Sequence, residues 1–403
     1  MDGHHINIHE TTQYLDGVPH AKYTALREEA PISFQTEPNG PGFWAVMKHE
    51  DVVYASKRPK IFSSARGGIN IPDAEEEDLE ISRMIMITMD PPQHAKYRKL
   101  VSTGFTPKMT QRLEGAIRNA VDSILDRVSG EAEVDFVASI ASQLPLYLIA
   151  DLIGWPEEDR GLMFDWSDRV ARIDFDPDDA RMAAMEFFGY CQDFLEKLNS
   201  DESNGDKPDN LVHTLMAAEV DGEKLNDMEI INFLLLLAIG GNETTRNRIS
   251  SGYLVLHDNP AMLTALQKNS GLMDQAVEEM LRWTSPIIAF RRTAQEDTEL
   301  GGQAISEGDK VVLYYASANR DEAVFDNPQS FDITREKNPH LSFGVGQHVC
   351  LGSTLARMEI AILFEELLRR FPEMHPVGDV TRLESNYVNG TVSFMVKVGP
   401  DHR

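Results

Sequence analysis

The chain has 403 residues, 38 lysines and arginines against 65 aspartates and glutamates, a net charge of -27, and two cysteines. That balance repels nucleic acid and anionic membrane surfaces, and two cysteines make no disulfide framework and suit a reducing compartment. The N-terminal "MDGHHINIHETTQYLDG" has neither a basic start nor an apolar core, and the most apolar run, "FLLLLAIGG" at 233–241, falls far short of the roughly 20 residues that span a bilayer, so a cytoplasmic protein without membrane anchor is expected.

In chain order, "GFWAVM" (42–47) reads as a strand. In "MDPPQHAKYRKL" (89–100), Pro91 and Pro92 suit a helix start, after which His94 and Arg98, four apart, present donors along one face. Such a face can hold a carboxylate or phosphate, or simply be wet. "TQRLEGAIRNAVDSILDRV" (110–128) places Leu113, Ile117, Val121 and Leu125 on one side of an amphipathic helix. "SDESNGDKPDN" (200–210) is polar and reads as an exposed loop within one domain.

The next segment, "LNDMEIINFLLLLAIGGNETTRNRISSGYLVL", starts with Asn226 and Glu229 spaced as a capping box and continues as a helix buried nearly all round. Its middle is interrupted. Gly240 and Gly241 each cost about 1 kcal/mol relative to alanine in a helix interior, and the polar Asn242, Glu243, Thr244 and Thr245 follow where burial is expected. Two readings stand: close helix packing with Glu243 in solvent, or a backbone brought near a ligand with an acid beside a hydroxyl.

Beyond it, "DQAVEEMLRWTSP" (274–286) sets Glu279 and Arg282 three apart on one helix face, which alone describes a solvated pair worth little. "TELGGQAI" (298–305) has a two-glycine turn suited to a hairpin, and "VNGTVSFMVKV" (388–398) combines Asn389-Gly390 with alternation of Val392, Phe394, Val396 and Val398. The fold class is mainly α with small β-sheets, in a single domain over 1–403.

In "HLSFGVGQHVCLG" (340–352), Cys350 stands among Gly344, Gly346 and Gly352, just ahead of a helical pattern whose N-terminus favours a thiolate. Zinc would want three more ligands at short spacing, and only His348 is near. A nucleophile would want a positioned base. An iron already held by four porphyrin nitrogens needs one protein ligand on that side, which suits a lone cysteine best.

"FGVGQHVCLG" resembles the haem-binding signature of the cytochrome P450 superfamily, with Phe343, Gly346, His348, Cys350 and Gly352 in place. "GGNETT" resembles that family's oxygen-activating stretch, "EEMLR" its Glu-x-x-Arg element, and "FDITR" the segment whose arginine, here Arg335, joins Glu279 and Arg282 in a buried triad. "HAKYR" is similar to the propionate-binding helix, and "FRRTA" to the strand whose arginine, here Arg292, does the same. The resemblance covers roughly residues 15–400 and implies one triangular, mostly helical domain.

It further implies haem b as cofactor, with Cys350 as the metal ligand and axial thiolate, Phe343 beside the sulfur, and His94, Arg98, Arg292 and His348 on the propionates. Gly240 and Gly241 would leave room for dioxygen, Thr244 and Glu243 would pass protons to it, and Glu243 would link to bulk water. Two electrons would come from a ferredoxin and ferredoxin reductase, docking on a local basic patch with Lys96, Lys99, Lys108 and Arg112 as candidates; the chain would act as a monomer.

The pocket is expected to include Leu236, Ile239, Gly240, Ile287, Ile288 and Ala289, with the turn at Asn389 and Gly390, which suits an apolar substrate. "GGNETTR", "AFRRTA" and "SANRDEAVF" resemble bacterial members that hydroxylate steroid or sterol side chains and branched lipids and, less closely, terminal alkyl hydroxylases; an apolar cavity also fits a terpenoid or fatty acid. "GGINIPDAEEEDLE" (67–80) and "RIDFDPDDARMAAMEFF" (172–188) are expected as mobile loops or short helices over the substrate's way in. A sensor of gas or ligand without turnover, and a peroxide-driven enzyme, are the competing readings, and the Glu243-Thr244 pair speaks against both.

Overall fold

The helical periodicity of the sequence becomes a stack of helices in the computed structural model, which describes residues 6–403 except 106, 172–175, 201–209 and 221. The first half carries α1 (His20–Glu29), α2 (His49–Ser56), α3 (Glu76–Ser82), α4 (Gln93–Val101), α5 (Pro107–Val128), α6 (Gln143–Ile153), α7 (Arg160–Ala171), α8 (Pro177–Ser200) and α9 (Leu211–Ala217). Then come the long α10 (Asp227–Asp258), α11 (Pro260–Lys268), α12 (Met273–Thr284), α13 (Tyr315–Ala318) and α14 (Ser353–Arg370). Leu113, Ile117, Val121 and Leu125 are all buried along α5, as their spacing predicts. The capping box of α10 is complete: the Asn226 side chain accepts from the Glu229 amide and the Glu229 carboxylate accepts from the Asn226 amide, both at 2.9 Å.

The strands are β1 (Ile32–Gln35), β2 (Phe43–Val46), β3 (Phe62–Ser63), β4 (Glu133–Asp135), β5 (Glu219–Val220), β6 (Glu223–Lys224), β7 (Ala289–Ala294), β8 (Thr298–Leu300), β9 (Gln303–Ile305), β10 (Lys310–Tyr314), β11 (His375–Arg382) and β12 (Thr391–Lys397). The main sheet runs β1-β2-β10-β7-β3, with β10 parallel to β2 and antiparallel to β7. The expected hairpin forms from β8 and β9, and its two turn residues, Gly301 and Gly302, both have positive φ, as the tight primed turn requires.

Two local expectations change. Asn389-Gly390 makes no two-residue turn but ends the connection at 383–390 between the antiparallel β11 and β12, which also pairs with β4, and a register shift near Thr381 turns Val392 outward while Phe394, Val396 and Val398 stay buried. The segment 172–188 is a helix from Pro177 onward, the start of the 24-residue α8, while its first four residues, like most of the loop at 200–210, lie outside the described residues.

One apolar cluster fills the space among α4–α12 and α14, and two smaller ones cover the faces of the main sheet. No described helix is long and apolar enough to cross a membrane.

Candidate active site

The cysteine loop is pinned before it reaches the thiol. The Ser342 hydroxyl donates to the Leu281 carbonyl at the end of α12 (2.6 Å), Asn319 donates to Ser342 (2.9 Å), and the Leu341 amide donates back to Asn319 (2.6 Å). Cys350 is exposed, with its amide bonded to the Phe343 carbonyl at 2.8 Å, and it lies two residues before Gly352, the N-cap of α14. Gly346 has φ +80°, and a Cβ there would lie 2.7 Å from the Ser56 carbonyl, so the approach of α2 demands this glycine. Two guanidiniums stack on the buried Phe343 ring, Arg248 from α10 and Arg357 from α14, each 4.5 Å from its centroid.

Beside this loop lies a cluster of donors. His94 on α4 is buried and neither ring nitrogen has a partner; its ring centre is 4.2 Å from that of His348. Arg98 is one turn further along and half-buried, and Arg292 reaches in from β7, buried, with one bond to the Arg291 carbonyl. Burial, then the charges of Arg292, His94 and Arg98, push the His348 imidazole down to about 2, and burial and Arg98 lower His94. Among the described residues no carboxylate bonds any of the four, since Asp90, the nearby acid, is held by Ser63 and Ser64. His94 has no partner, His348 reaches the Ser64 hydroxyl at 3.4 Å, and no described carboxylate offsets Arg98 and Arg292, so the cluster is open to an anionic ligand.

On α10 the interruption resolves into two different glycines. A Cβ on Gly241 would sit 2.9 Å from Ile149 of α6, so this glycine serves helix packing; one on Gly240 would meet nothing within 4 Å, so this glycine faces open space. Of the two, only Gly240 leaves room for a small ligand. The Thr244 hydroxyl donates to the Gly240 carbonyl at 2.6 Å, the back-bond expected of a threonine inside a helix. Glu243 is mostly enclosed and pairs with Arg246 at 3.5 Å, which in turn reaches Asp168 of α7 at 3.4 Å. These pairs place Glu243 in a charged chain that runs from α10 to Asp168 of α7.

Leu236 and Ile239 are half-buried beside Gly240, and Ile287 is half-buried across from Val388. Ile288, just ahead of β7, and Ala289, its first residue, are wholly enclosed in the sheet-side core with Val312 and Tyr314 and expose no surface. Asn389 donates to the Thr284 carbonyl, tying its segment to the end of α12, and Gly390 lets Leu383 approach closely. In the basic patch Lys96 is neutralised by Glu223 at 2.8 Å and Lys99 is exposed, while the side chains of Lys108 and Arg112 lie outside the described residues.

Glu279 and Arg282 are wholly buried, not solvated. They meet in a two-pronged pair at 2.7 and 2.8 Å, and Arg335 joins at 3.0 Å; the Asp332 amide and Asn338 satisfy the remaining carboxylate positions. Arg282 spends its other donors on the carbonyls of Asn319, Pro328 and Ser330, which fixes the segment leading into the cysteine loop.

A family model described as Cytochrome P450 matches residues 145–398. The chain belongs to the cytochrome P450 family. It is 39% identical to a steroid C26-monooxygenase of Rhodococcus jostii, covering 95% of this chain and 82% of that one. It is equally identical to a methyl-branched lipid omega-hydroxylase of Mycobacterium tuberculosis, over 93% of this chain and 90% of the relative. A solved Mycobacterium marinum cytochrome P450 in complex with pseudoionone superposes with a TM-score of 0.88 at 33% identity, covering 98% of this chain and 99% of that one. This P450 is a monooxygenase with haem b as its cofactor, acting on apolar substrates, and its fold is the single-domain fold of the family.

Arg246, Arg248, Arg357, Asp168 and Asn319 belong to the site and were not singled out from sequence. The only signal for the first two is a pair of arginines in "TTRNRIS", within a helix otherwise built for burial.

Proposed function

We propose that this P450 hydroxylates the side chain of a steroid or sterol, or the chain of a methyl-branched lipid, using dioxygen and two electrons from a ferredoxin and its reductase. When held by Cys350, haem supplies the activation of dioxygen. His94, Arg98, Arg292 and His348 hold the propionates, whose charges offset those of the two arginines. The observation that carries the reading is the opening on α10: Gly240 faces free space while the Thr244 hydroxyl, bonded to its carbonyl, and the adjacent Glu243 stand ready to move protons.

The Thr244 hydroxyl orients the oxygen substrate by a hydrogen bond, and Glu243, aimed by its pair with Arg246, takes up each proton and passes it on. Leu236 and Ile239 flank this opening as apolar surface against which a hydrocarbon chain loses its water. The steroid and branched-lipid activities of two relatives near 39% identity support this class of substrate. Electrons arrive by docking near Lys99.

The test is a panel of steroids, sterols, methyl-branched and straight fatty acids and terpenoids added to the ferric enzyme. A steroid or branched lipid is expected to move the iron toward high spin at the lowest concentration and to yield a hydroxylated chain carbon with ferredoxin, reductase and NADH. Tighter binding and faster turnover of a terpenoid or straight fatty acid would overturn the substrate reading. Equal turnover with hydrogen peroxide alone would overturn the electron route.

A further inference from the structure

Among the described residues several buried cations carry their own anion: Arg27 meets Glu322, Arg282 meets Glu279, Arg370 meets Asp126 and Asp401, and Lys310 meets Glu37. Arg248, like Arg292 and Arg320, has no such ion pair. Only 5% exposed in the second half of α10, it donates to the Ser342 carbonyl at 3.0 Å and lies over the Phe343 ring; its Nε has no partner, and no carboxylate of the described residues lies within ion-pairing distance. An interior guanidinium without a counter-charge is costly.

Its hydrogen bond and its ring contact both fall on one loop: Ser342 and Phe343 are consecutive, the Phe343 carbonyl receives the Cys350 amide, and the charges of Arg248 and Cys350 attract each other. The other buried acid nearby is Glu359 of α14, and burial pushes its carboxyl up to about 8, so near neutral pH it is mostly protonated and leaves the charge of Arg248 uncancelled. Arg357, the other guanidinium on the Phe343 ring, is already neutralised by Glu278.

We propose that Arg248 is a positioning residue for the thiolate loop, and that its buried positive charge is balanced by the Cys350 sulfur, restraining electron donation to the iron and favouring its reduced form. This rests on the reading of Cys350 as the axial ligand. A fixed positive charge beside a centre that gains an electron on reduction favours the reduced state.

The experiment measures the ferric/ferrous potential and the carbonyl spectrum of the holoenzyme for wild type, Arg248→Met, Arg248→Lys and Arg357→Met. Arg248→Met is expected to shift the redox equilibrium about tenfold toward ferric, ~59 mV for one electron. Arg248→Lys should restore most of that shift, and Arg357→Met should shift the potential less than Arg248→Met does, because Arg357 and its partner Glu278 are partly exposed and screened by water. Equal shifts in Arg248→Met and Arg357→Met would show that only the packing of Phe343 matters, and an unmoved potential in Arg248→Met would show no electrostatic role; either overturns the proposal. If Arg248→Met loses haem, retention with a wild-type potential in Arg248→Lys supports it, whereas loss in both variants overturns it in favour of a folding role. A wild-type carbonyl band typical of histidine ligation would instead overturn the reading of Cys350 on which it depends.

Discussion

The Glu279 and His94 clusters are both buried and both rich in cationic groups, yet they are opposite in how they are satisfied. Around Glu279 every charge finds a partner from the chain itself: two arginines, a backbone amide and an asparagine on one carboxylate, and three carbonyls on Arg282. Around His94 two ring nitrogens have no partner, and Arg98 and Arg292, whose charges together with burial keep the His348 imidazole neutral, have no described carboxylate bonded to them. A polar cluster that closes on itself builds the fold; one left open in the interior is shaped for something the chain does not supply.

The contrast is broken most severely at Glu279. Glu279→Ala would leave Arg282 and Arg335 buried without their anion, at a cost of about 3–5 kcal/mol, and should abolish or sharply reduce folded holoprotein, read by urea unfolding and by haem content. A milder variant with intact stability would show that the cluster does not hold the fold. Next comes Glu359, an acid with an unpartnered oxygen in the interior. Its carboxyl titrates in the fold at about 8, above its ordinary value, so the folded state binds more protons than the unfolded one between those limits. That contribution is complete below the unfolded value and is lost as pH rises toward 8. Against Glu359→Gln, wild type should lose on the order of 3 kcal/mol between pH 5 and pH 8, visible as a widening gap in Tm; parallel curves would mean that Glu359 stays ionised.

The open cluster is probed by His94→Ala and Arg98→Ala. On the proposal that this cluster holds the propionates, each removes one charge-assisted bond, ~1.5–3 kcal/mol, and should speed transfer of haem to an acceptor protein by about tenfold to hundredfold, with little change in the stability of the haem-free chain. Equal loss of stability in haem-free protein would make this cluster structural, like that of Glu279. The smallest change in stability is expected for Thr244→Ala, since a back-bond inside a helix contributes little. Its effect should fall on coupling: NADH use continues while product per NADH drops about tenfold or more.

Much of the frame was legible because it depends on local spacing. The apolar face of α5, the capping box of α10 and the glycine pair between β8 and β9 all follow from residues within a turn or two of one another. Glu279 and Arg282 showed their pairing through a spacing of three, but not their burial, because what encloses them is Arg335 and Asn338, more than fifty residues later. Arg248 was illegible for the same reason. On its own helix it sits among threonine, asparagine and serine and looks solvated, and only the return of the cysteine loop and α14 covers it. Gly240 and Gly241 were indistinguishable in sequence, since which of them meets Ile149 depends on where α6 lies. The enclosure of Ala289 likewise depends on the sheet partner of β7, which periodicity does not name.

The 32 residues of α10 form one rod about 48 Å long, and two positions along it join tasks that belong to different parts of the chemistry. Thr244 and Arg248 are one turn apart and share a face, the first addressing the opening at Gly240 and the second the cysteine loop. A single inserted or deleted residue between them would rotate one against the other by about 100°. Evolution can therefore lengthen or trim the ends of this helix, as it can the loops, but between Thr244 and Arg248 it is confined to substitution.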